Sequence, residues 1–142
     1  MDYVVDREAL TAAIGEEVSR VAASEYSDGG VSLYDSIAIS SRDSGAVSRL
    51  LDSALESVVS RLPDICGHVG APSEKLVFSV PDLPDGLEAS IGSVLGDYLL
   101  CNVCAAWLRQ RAAERAGEYA ERRDALLVSA VKMLKTRRRA AR

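Results

Sequence analysis

The chain has 142 residues, the size of one typical domain, and can bury a core without disulfide or metal staples. It is 48% hydrophobic but only 5% aromatic, a composition typical of a helix-rich protein. Its formal net charge of −4 conceals two opposite ends, because residues 1–106 hold 6 basic and 17 acidic side chains whereas residues 107–142 hold 11 and 4. Such a molecule can bind a polyanion with its basic end, or set that end against the acidic surface of another copy.

Other broad classes are disfavoured. The N-terminus has no basic segment followed by a long apolar one, which argues against a signal peptide. The longest strongly apolar stretch, around Tyr98 to Leu108, is too short to span a bilayer, so no membrane association is expected. Three cysteines cannot all pair within one chain, and reduced thiols are therefore expected.

The first predicted helix begins after Asp6, whose carboxylate can cap it, and runs to about Ser24. Its apolar residues recur at spacings of four and three: Leu10, Ile14, Val18 and Val21. The turn-forming run at residues 27–30 ends this helix, and an extended or irregular connection follows over residues 31–39. The residues expected to anchor that connection to the core are Val31, Leu33, Ile37 and Ile39.

A second helix is predicted from about Arg42 to Leu62, with Ser40, Ser41 and Asp43 as candidate caps. Its apolar stripe is the clearest in the chain: Val47, Leu50, Leu51, Ala54, Leu55, Val58 and Val59. Pro63 ends or kinks it before a short turn over residues 65–69. A loop follows, with a short β-prone run at residues 76–80 that Pro81 and Pro84 close.

A long helix is predicted from about Gly86 to Arg115, and its apolar character on nearly every side marks it as the central helix. Gly117 is the predicted break before a last helix of about Glu118 to Arg138. The expected fold is therefore mainly α. It is a bundle-like domain of four to five helices over residues 1–138, with one or two short β segments in the central loop and a basic tail at residues 139–142.

The residues most suggestive of chemistry are Cys66, His68, Cys101 and Cys104, because Cys-x-x-Cys is a common half of a zinc site. However, Cys101 and Cys104 lie inside an apolar helical run, not on the glycine-containing turn that zinc knuckles use. We interpret them as buried small hydrophobic residues, and His68 as an exposed or capping residue. No cofactor is expected, although the sequence does not decide whether the four side chains meet.

Catalytic and phosphate-binding motifs are not evident. The acidic residues are scattered at the spacing of solvated helix faces, and no Ser-His-Asp arrangement is present. Gly92 and Gly96 stand four apart but are not followed by the Lys-Ser or Lys-Thr of a P-loop, and close helix packing explains them better. The sequence thus predicts a protein that is not an enzyme.

The basic C-terminal segment is the remaining candidate for a binding function. Its candidate contact residues for a partner or for phosphates are Arg122, Arg123, Lys132, Lys135, Arg137, Arg138, Arg139 and Arg142. DNA binding through them would involve phosphates without base readout and would depend strongly on salt. The alternatives are a contact with an acidic protein surface, or a solvated helix end whose cations complement the helix dipole.

The order of several elements along the chain is typical of a known family. They are an amphipathic helix at residues 48–59, a loop with a short strand, a Pro-Asp-Gly-Leu entry at residues 84–87 into a long apolar helix containing Trp107, and a last helix through residues 122–127. This order, over roughly residues 40–138, resembles the head-tail connector or adaptor proteins of tailed bacteriophages. Members of that family are small helical proteins that form a ring beneath the portal, around the channel through which DNA passes.

The resemblance implies a non-enzymatic virion structural protein of a phage or prophage, present in the bacterial cytoplasm before assembly. It implies a homo-oligomer with portal and tail or neck proteins as partners, and allows non-specific contact with DNA. The alternative from another class is a small helical nucleic-acid-binding or regulatory protein that uses residues 107–142 on phosphates. A third class, an enzyme or metalloprotein centred on Cys66, His68, Cys101 and Cys104, predicts bound zinc.

Overall fold

The computed structural model describes residues 2–62, 66–69, 75–79 and 87–140. In chain order the elements are β1 (Asp2–Asp6), α1 (Arg7–Ser24), α2 (Tyr34–Ile37), α3 (Ser44–Arg61), β2 (Cys66–Val69), β3 (Lys75–Ser79), α4 (Leu87–Leu108) and α5 (Ala113–Ala140). The expected fold class is confirmed, because the domain is mainly α and bundle-like. The roles predicted for Pro63, Pro81, Pro84, Gly86 and Arg142 fall outside the described residues.

The strands form one antiparallel sheet in the order β1-β3-β2. β3 falls on the β-prone run of the central segment, and its Leu76 and Phe78 are fully buried on the inner face. Two strands differ from the expectations. β2 replaces the turn predicted over residues 65–69, and β1 lies where no strand is predicted. β1 is stabilised by pairing with β3, a long-range contact that a short sequence pattern does not show, whereas β2 pairs with β3 as the next strand along the chain.

Helix α1 matches its prediction at both ends. The carboxylate of Asp6 accepts hydrogen bonds from the backbone N–H groups of Glu8 (3.0 Å) and Ala9 (3.4 Å), and so satisfies two donors of the first turn. The four residues predicted to form its apolar face are all buried: Leu10, Ile14, Val18 and Val21. The local cap and the apolar periodicity are therefore sufficient to define this helix.

Helix α3 begins after a short 3-10 turn at Ser41–Asp43, in which the Asp43 carboxylate accepts from the Ser40 N–H (2.9 Å). Arg7 ties it to α1. The Arg7 guanidinium lies 2.8 Å from Asp52 Oδ1 and donates to both the carbonyl and the hydroxyl of Ser48 (2.9 and 2.6 Å). This charge-assisted contact fixes the position of the start of α1 along α3.

The connection between α1 and α3 differs in part from the prediction. Residues 25–33 form a tight hairpin in which the Ser27 N–H donates to the Val31 carbonyl (2.8 Å) and Gly30 adopts a positive φ of 78°. Ile37 is buried as expected, but the hairpin holds Val31 outward with 66% of its surface exposed, so Val31 is not a core anchor. The helical turn α2 also replaces part of the predicted extended segment.

The break between the last two helices lies earlier than predicted. α4 ends at Leu108, whose carbonyl accepts from the N–H groups of Arg111 (3.0 Å) and Ala112 (2.8 Å), and α5 begins at Ala113. Gly117, the predicted break, lies inside α5. The turn contains neither Gly nor Pro and has no local signal. It forms because α5 folds back along α4 and buries one face: Ala116, Tyr119, Ala130 and Leu134.

Helix α4 is the apolar centre of the domain. Its window Ser90–Leu108, with a mean hydropathy of 1.4, is long and apolar enough to cross a membrane by length and composition alone. It is therefore longer than the stretch from Tyr98 that the sequence suggests. However, 61% of the window is buried inside the protein, against α1, α3 and α5. A helix packed on several sides needs apolar residues all round, which accounts for its composition.

The two glycines of α4 have different surroundings. The ring of Tyr3 from β1 lies directly on Gly92, so that a Cβ added there would overlap the ring, whereas nothing lies within 4 Å of a Cβ added at Gly96. Close packing is thus found at Gly92 but not at Gly96, and the helix packing predicted for the pair is not observed. The contact is with β1 and not with a second helix.

We expect Gly92→Ala to be less stable than Gly96→Ala by about 1–3 kcal/mol, the usual cost of forcing an extra methyl into a filled site. Both changes bring the same gain in helix propensity, so Gly96→Ala is the matched control. Urea unfolding followed by circular dichroism measures the difference. Equal stabilities of the two variants would show that the packing of the Tyr3 ring does not require a residue without a side chain at position 92.

Trp107 anchors the connection to α4, because its Nε1 donates a buried hydrogen bond to the Ile37 carbonyl (2.7 Å). We expect Trp107→Phe to leave that carbonyl unpaired and to lower the free energy of unfolding by about 1–3 kcal/mol. Tyr98→Phe, which removes the half-buried hydrogen bond to Ser57 Oγ (2.8 Å), is the comparison and should cost less. An equal or larger loss in Tyr98→Phe, measured by urea unfolding, would contradict this.

Candidate functional site

The candidate contact residues are distributed along α5. Lys132 and Lys135 are exposed in its last third. Arg137, Arg138 and Arg139 continue the helix, but their side chains and all of Arg142 lie outside the described part of the structure. α5 has 28 residues and α4 has 22. α5 is therefore longer than α4 by six residues, which corresponds to about 9 Å of helix.

Arg122 and Arg123 face different neighbours. The guanidinium of Arg122 lies over the ring of Tyr119, 5.7 Å from its centroid. Arg123 Nε lies 3.1 Å from the Asp124 carboxylate, and its Nη1 donates to Asn102 on α4 (3.4 Å). Both arginines are therefore partly engaged within the molecule. The structure does not unite the two arginines and the two lysines into one continuous basic surface.

A charged cavity of about 210 Å³ lies between α1 and α5. Its lining residues are Glu17, Arg20, Val21, Arg115, Glu118, Tyr119 and Arg122. Most of its charges pair with one another, since Arg20 lies 3.5 Å from Glu17 and Arg115 lies 3.4 Å from Glu118. With three arginines against two glutamates, it is a nearly neutralised ion-pair cluster.

Tyr119 joins this cluster to the core by donating a 2.6 Å hydrogen bond to Glu17 Oε2. Burial raises the pKa of the Tyr119 phenol, and the hydrogen bond to Glu17 raises it further. The phenol therefore remains a donor at neutral pH and fixes α5 against α1. The chemistry of this cluster is that of a structural contact between two helices.

Cys101 and Cys104 are both fully buried and form no disulfide, which confirms their assignment as small core residues. Burial raises the pKa of both thiols, that of Cys104 to about 12, so they remain protonated at neutral pH and are poor nucleophiles and poor metal ligands. The side chains of Cys66 and His68 lie outside the described set. Among the described side chains, no group of three or more His, Cys, Asp or Glu could hold a metal ion.

A shallow groove of about 430 Å³ separates the outer faces of α4 and α5, near the turn that joins them. Small residues form its floor and polar side chains its margins: Ala105, Ala106, Ala113, Ala116, Gly117 and Ala120 with Asn102, Arg109 and Arg123. Arg109 is exposed. We term this feature the arginine groove. Gly117, predicted to break the helix, instead lines this groove, where its lack of a side chain leaves more space.

The hairpin between α1 and α2 forms a second exposed surface, which we term the arm (residues 25–35). Tyr26, Val31 and Tyr34 are 60%, 66% and 41% exposed. The arm also carries Glu25, Asp28 and Asp35, and no basic residue occurs between Arg20 and Arg42. This surface was not predicted from the sequence, because Val31 was assigned to the core and Tyr26 and Tyr34 were given no role. The only local signal was the Asp-Gly-Gly turn.

Comparison of the chain with protein-family models, with curated proteins and with solved structures finds no match. An assignment of function therefore depends on the element order and the surfaces described above.

The buried thiols make the stability of the fold pH-dependent. In the unfolded chain Cys104 ionises near 9.0, but in the folded protein only near about 12, so raising the pH between these values favours the unfolded state. We expect the free energy of unfolding to fall above about pH 9 by up to about 1.4 kcal/mol per pH unit for this thiol. Cys104→Ala should reduce that slope, whatever its own cost in stability. Urea unfolding between pH 7 and 10.5 measures it, and an unchanged slope would contradict the assignment.

Proposed function

We propose that this protein is a non-enzymatic structural subunit that assembles head to tail, as a head-tail connector or adaptor of a tailed bacteriophage. The observation that carries the proposal is the division of charge and contact surface on one molecule. An acidic arm with exposed aromatic side chains lies in the N-terminal part, and the basic side chains are concentrated on the C-terminal part. Complementary patches at different places on one chain suit a heterologous interface, which closes into a ring when its rotation allows.

The length of the last helix supports a contact beyond the ring itself. α5 is six residues longer than α4, and its C-terminal part bears the basic run at residues 132–139. In an assembled ring, these basic ends would form a second surface that can contact the portal, the tail or neck proteins, or DNA in the channel. The proposed location is therefore the virion, after folding in the bacterial cytoplasm.

A nucleic-acid-binding or regulatory protein remains the second candidate function. The exposure of Lys132 and Lys135, in line with the basic residues that follow, favours it. Such a protein would neutralise phosphates as a monomer or dimer, with an affinity that falls steeply with salt. The two functions differ in what depends on the basic end: the affinity for DNA in the second candidate, and contacts outside the ring in the connector.

We expect the purified full chain to self-associate into a closed ring at high concentration, with a mass that decreases as salt screens the charged contacts. Light scattering coupled to size exclusion, with negative-stain images of the largest species, tests this. Duplex DNA should change the mass little. A strict monomer that shifts only when DNA is added would overturn the connector assignment in favour of the second candidate.

A triple variant of the basic end separates the two candidates further. Replacing Arg137, Arg138 and Arg139 with Ala should abolish DNA binding if the second candidate is correct, since each lost phosphate contact reduces the salt dependence of affinity. Under the connector proposal, ring formation should persist in this variant. Arg49→Ala, which removes one positive charge from the exposed face of α3, controls for the loss of an arginine elsewhere on the surface.

A further inference from the structure

We propose that the arm of one subunit docks into the arginine groove of the next copy of this chain. The inference rests on the proposed function, because it takes the neighbouring subunit as the occupant. It assigns the two complementary patches to defined places in the fold: residues 25–35 on one side, and the outer faces of α4 and α5 on the other.

The arm has the properties of an inserted element. Its base is closed by the hydrogen bond from the Leu33 N–H to the Glu25 carbonyl (3.1 Å). The hydrogen bond from Trp107 to the Ile37 carbonyl attaches the end of α2, which follows the arm, to the core. Trp107 is itself covered by the guanidinium of Arg111, 3.8 Å from its ring centroid. Three large apolar side chains nevertheless remain exposed on a short segment, and exposed apolar clusters of this kind mark interaction sites.

The arginine groove is complementary to the arm in shape and in charge. Its floor of alanine and glycine leaves space beside the helix backbones that an aromatic ring can fill. At its margin, the exposed Arg109 presents positive charge to the acidic residues of the arm, whereas Arg123 is already paired with Asp124. A guanidinium also stacks well on a tyrosine ring. None of the groove's lining residues belongs to the arm of the same chain.

Charge determines the choice of a second copy as occupant. The arm carries three carboxylates and no cation, and the groove presents the exposed guanidinium of Arg109, while that of Arg123 is paired with Asp124. Each surface therefore finds its complement on an identical molecule. Because the two surfaces differ, the contact is directional and repeats from copy to copy.

Two variants of the full chain, each with one of the two surfaces blocked and the other kept, test the contact without requiring a ring. We term them the capped variants. Tyr26→Ser with Val31→Ser removes the exposed apolar groups of the arm and keeps the groove. Ala106→Glu with Arg109→Glu fills and reverses the groove and keeps the arm. All four positions are exposed, so both proteins should fold, and circular dichroism checks this.

Each capped variant should be a monomer alone, and the equimolar mixture should form a 1:1 dimer that dissociates as salt rises, measured by sedimentation velocity. Two controls at the exposed surface of α3 should self-associate as the wild type does: Val59→Ser reproduces the Val31→Ser change, and Arg49→Glu reproduces the Arg109→Glu change. A mixture that stays monomeric at the highest soluble concentration would overturn the docking of arm into groove.

The outcomes separate this inference from the proposed function. If the wild type and both capped variants all form rings, the connector proposal stands and the assigned interface is wrong. If the capped pair dimerises but the wild type forms only open chains, the interface stands and the ring proposal fails.

Discussion

The central constraint on this fold is that α4 is apolar on nearly every side and must be covered in every direction. Helices α1 and α3 pack on it, and β1 places Tyr3 on the bare surface of Gly92. α5 covers a further face, which forces the chain to reverse within residues 109–112. Helix α4 also supplies Trp107, whose hydrogen bond to the Ile37 carbonyl attaches the end of α2, which follows the arm, to the core. Burial of one helix thus positions both exposed surfaces from which assembly is inferred.

The parts of the fold that could be predicted are those specified by neighbouring residues. Asp6 caps α1 because its carboxylate reaches N–H groups only two and three residues away, and apolar periodicity locates the buried face. The strand β1 depends on a partner far along the chain, and the reversal after Leu108 depends on the packing of α5 on α4, so their own residues carry no signal. Similarly, the sequence identifies Arg122 and Arg123 as basic, but not that Tyr119 and Asn102 engage them.

The arm shows why an apolar residue in a sequence is an ambiguous sign. Val31 and Ile37 lie six residues apart in the same connection, and both are β-branched hydrophobic residues. Ile37 is buried because Trp107 draws its backbone onto α4, whereas Val31 follows a glycine turn and is held away from the core. Only the tertiary contact distinguishes them. An apolar side chain that the fold leaves outside is therefore better evidence of an interface than its sequence position.

The distribution of charge also limits the symmetry of any assembly. Arg20 and Arg115 are compensated by glutamates within the ion-pair cluster between α1 and α5, so they contribute little to an external contact. A two-fold contact through the arm would place its carboxylates against their own copies, which like-charge repulsion opposes. A contact between the arm and a basic surface has no such penalty. Self-association through the arm should therefore be heterologous, and a heterologous contact either closes into a ring or continues as a chain.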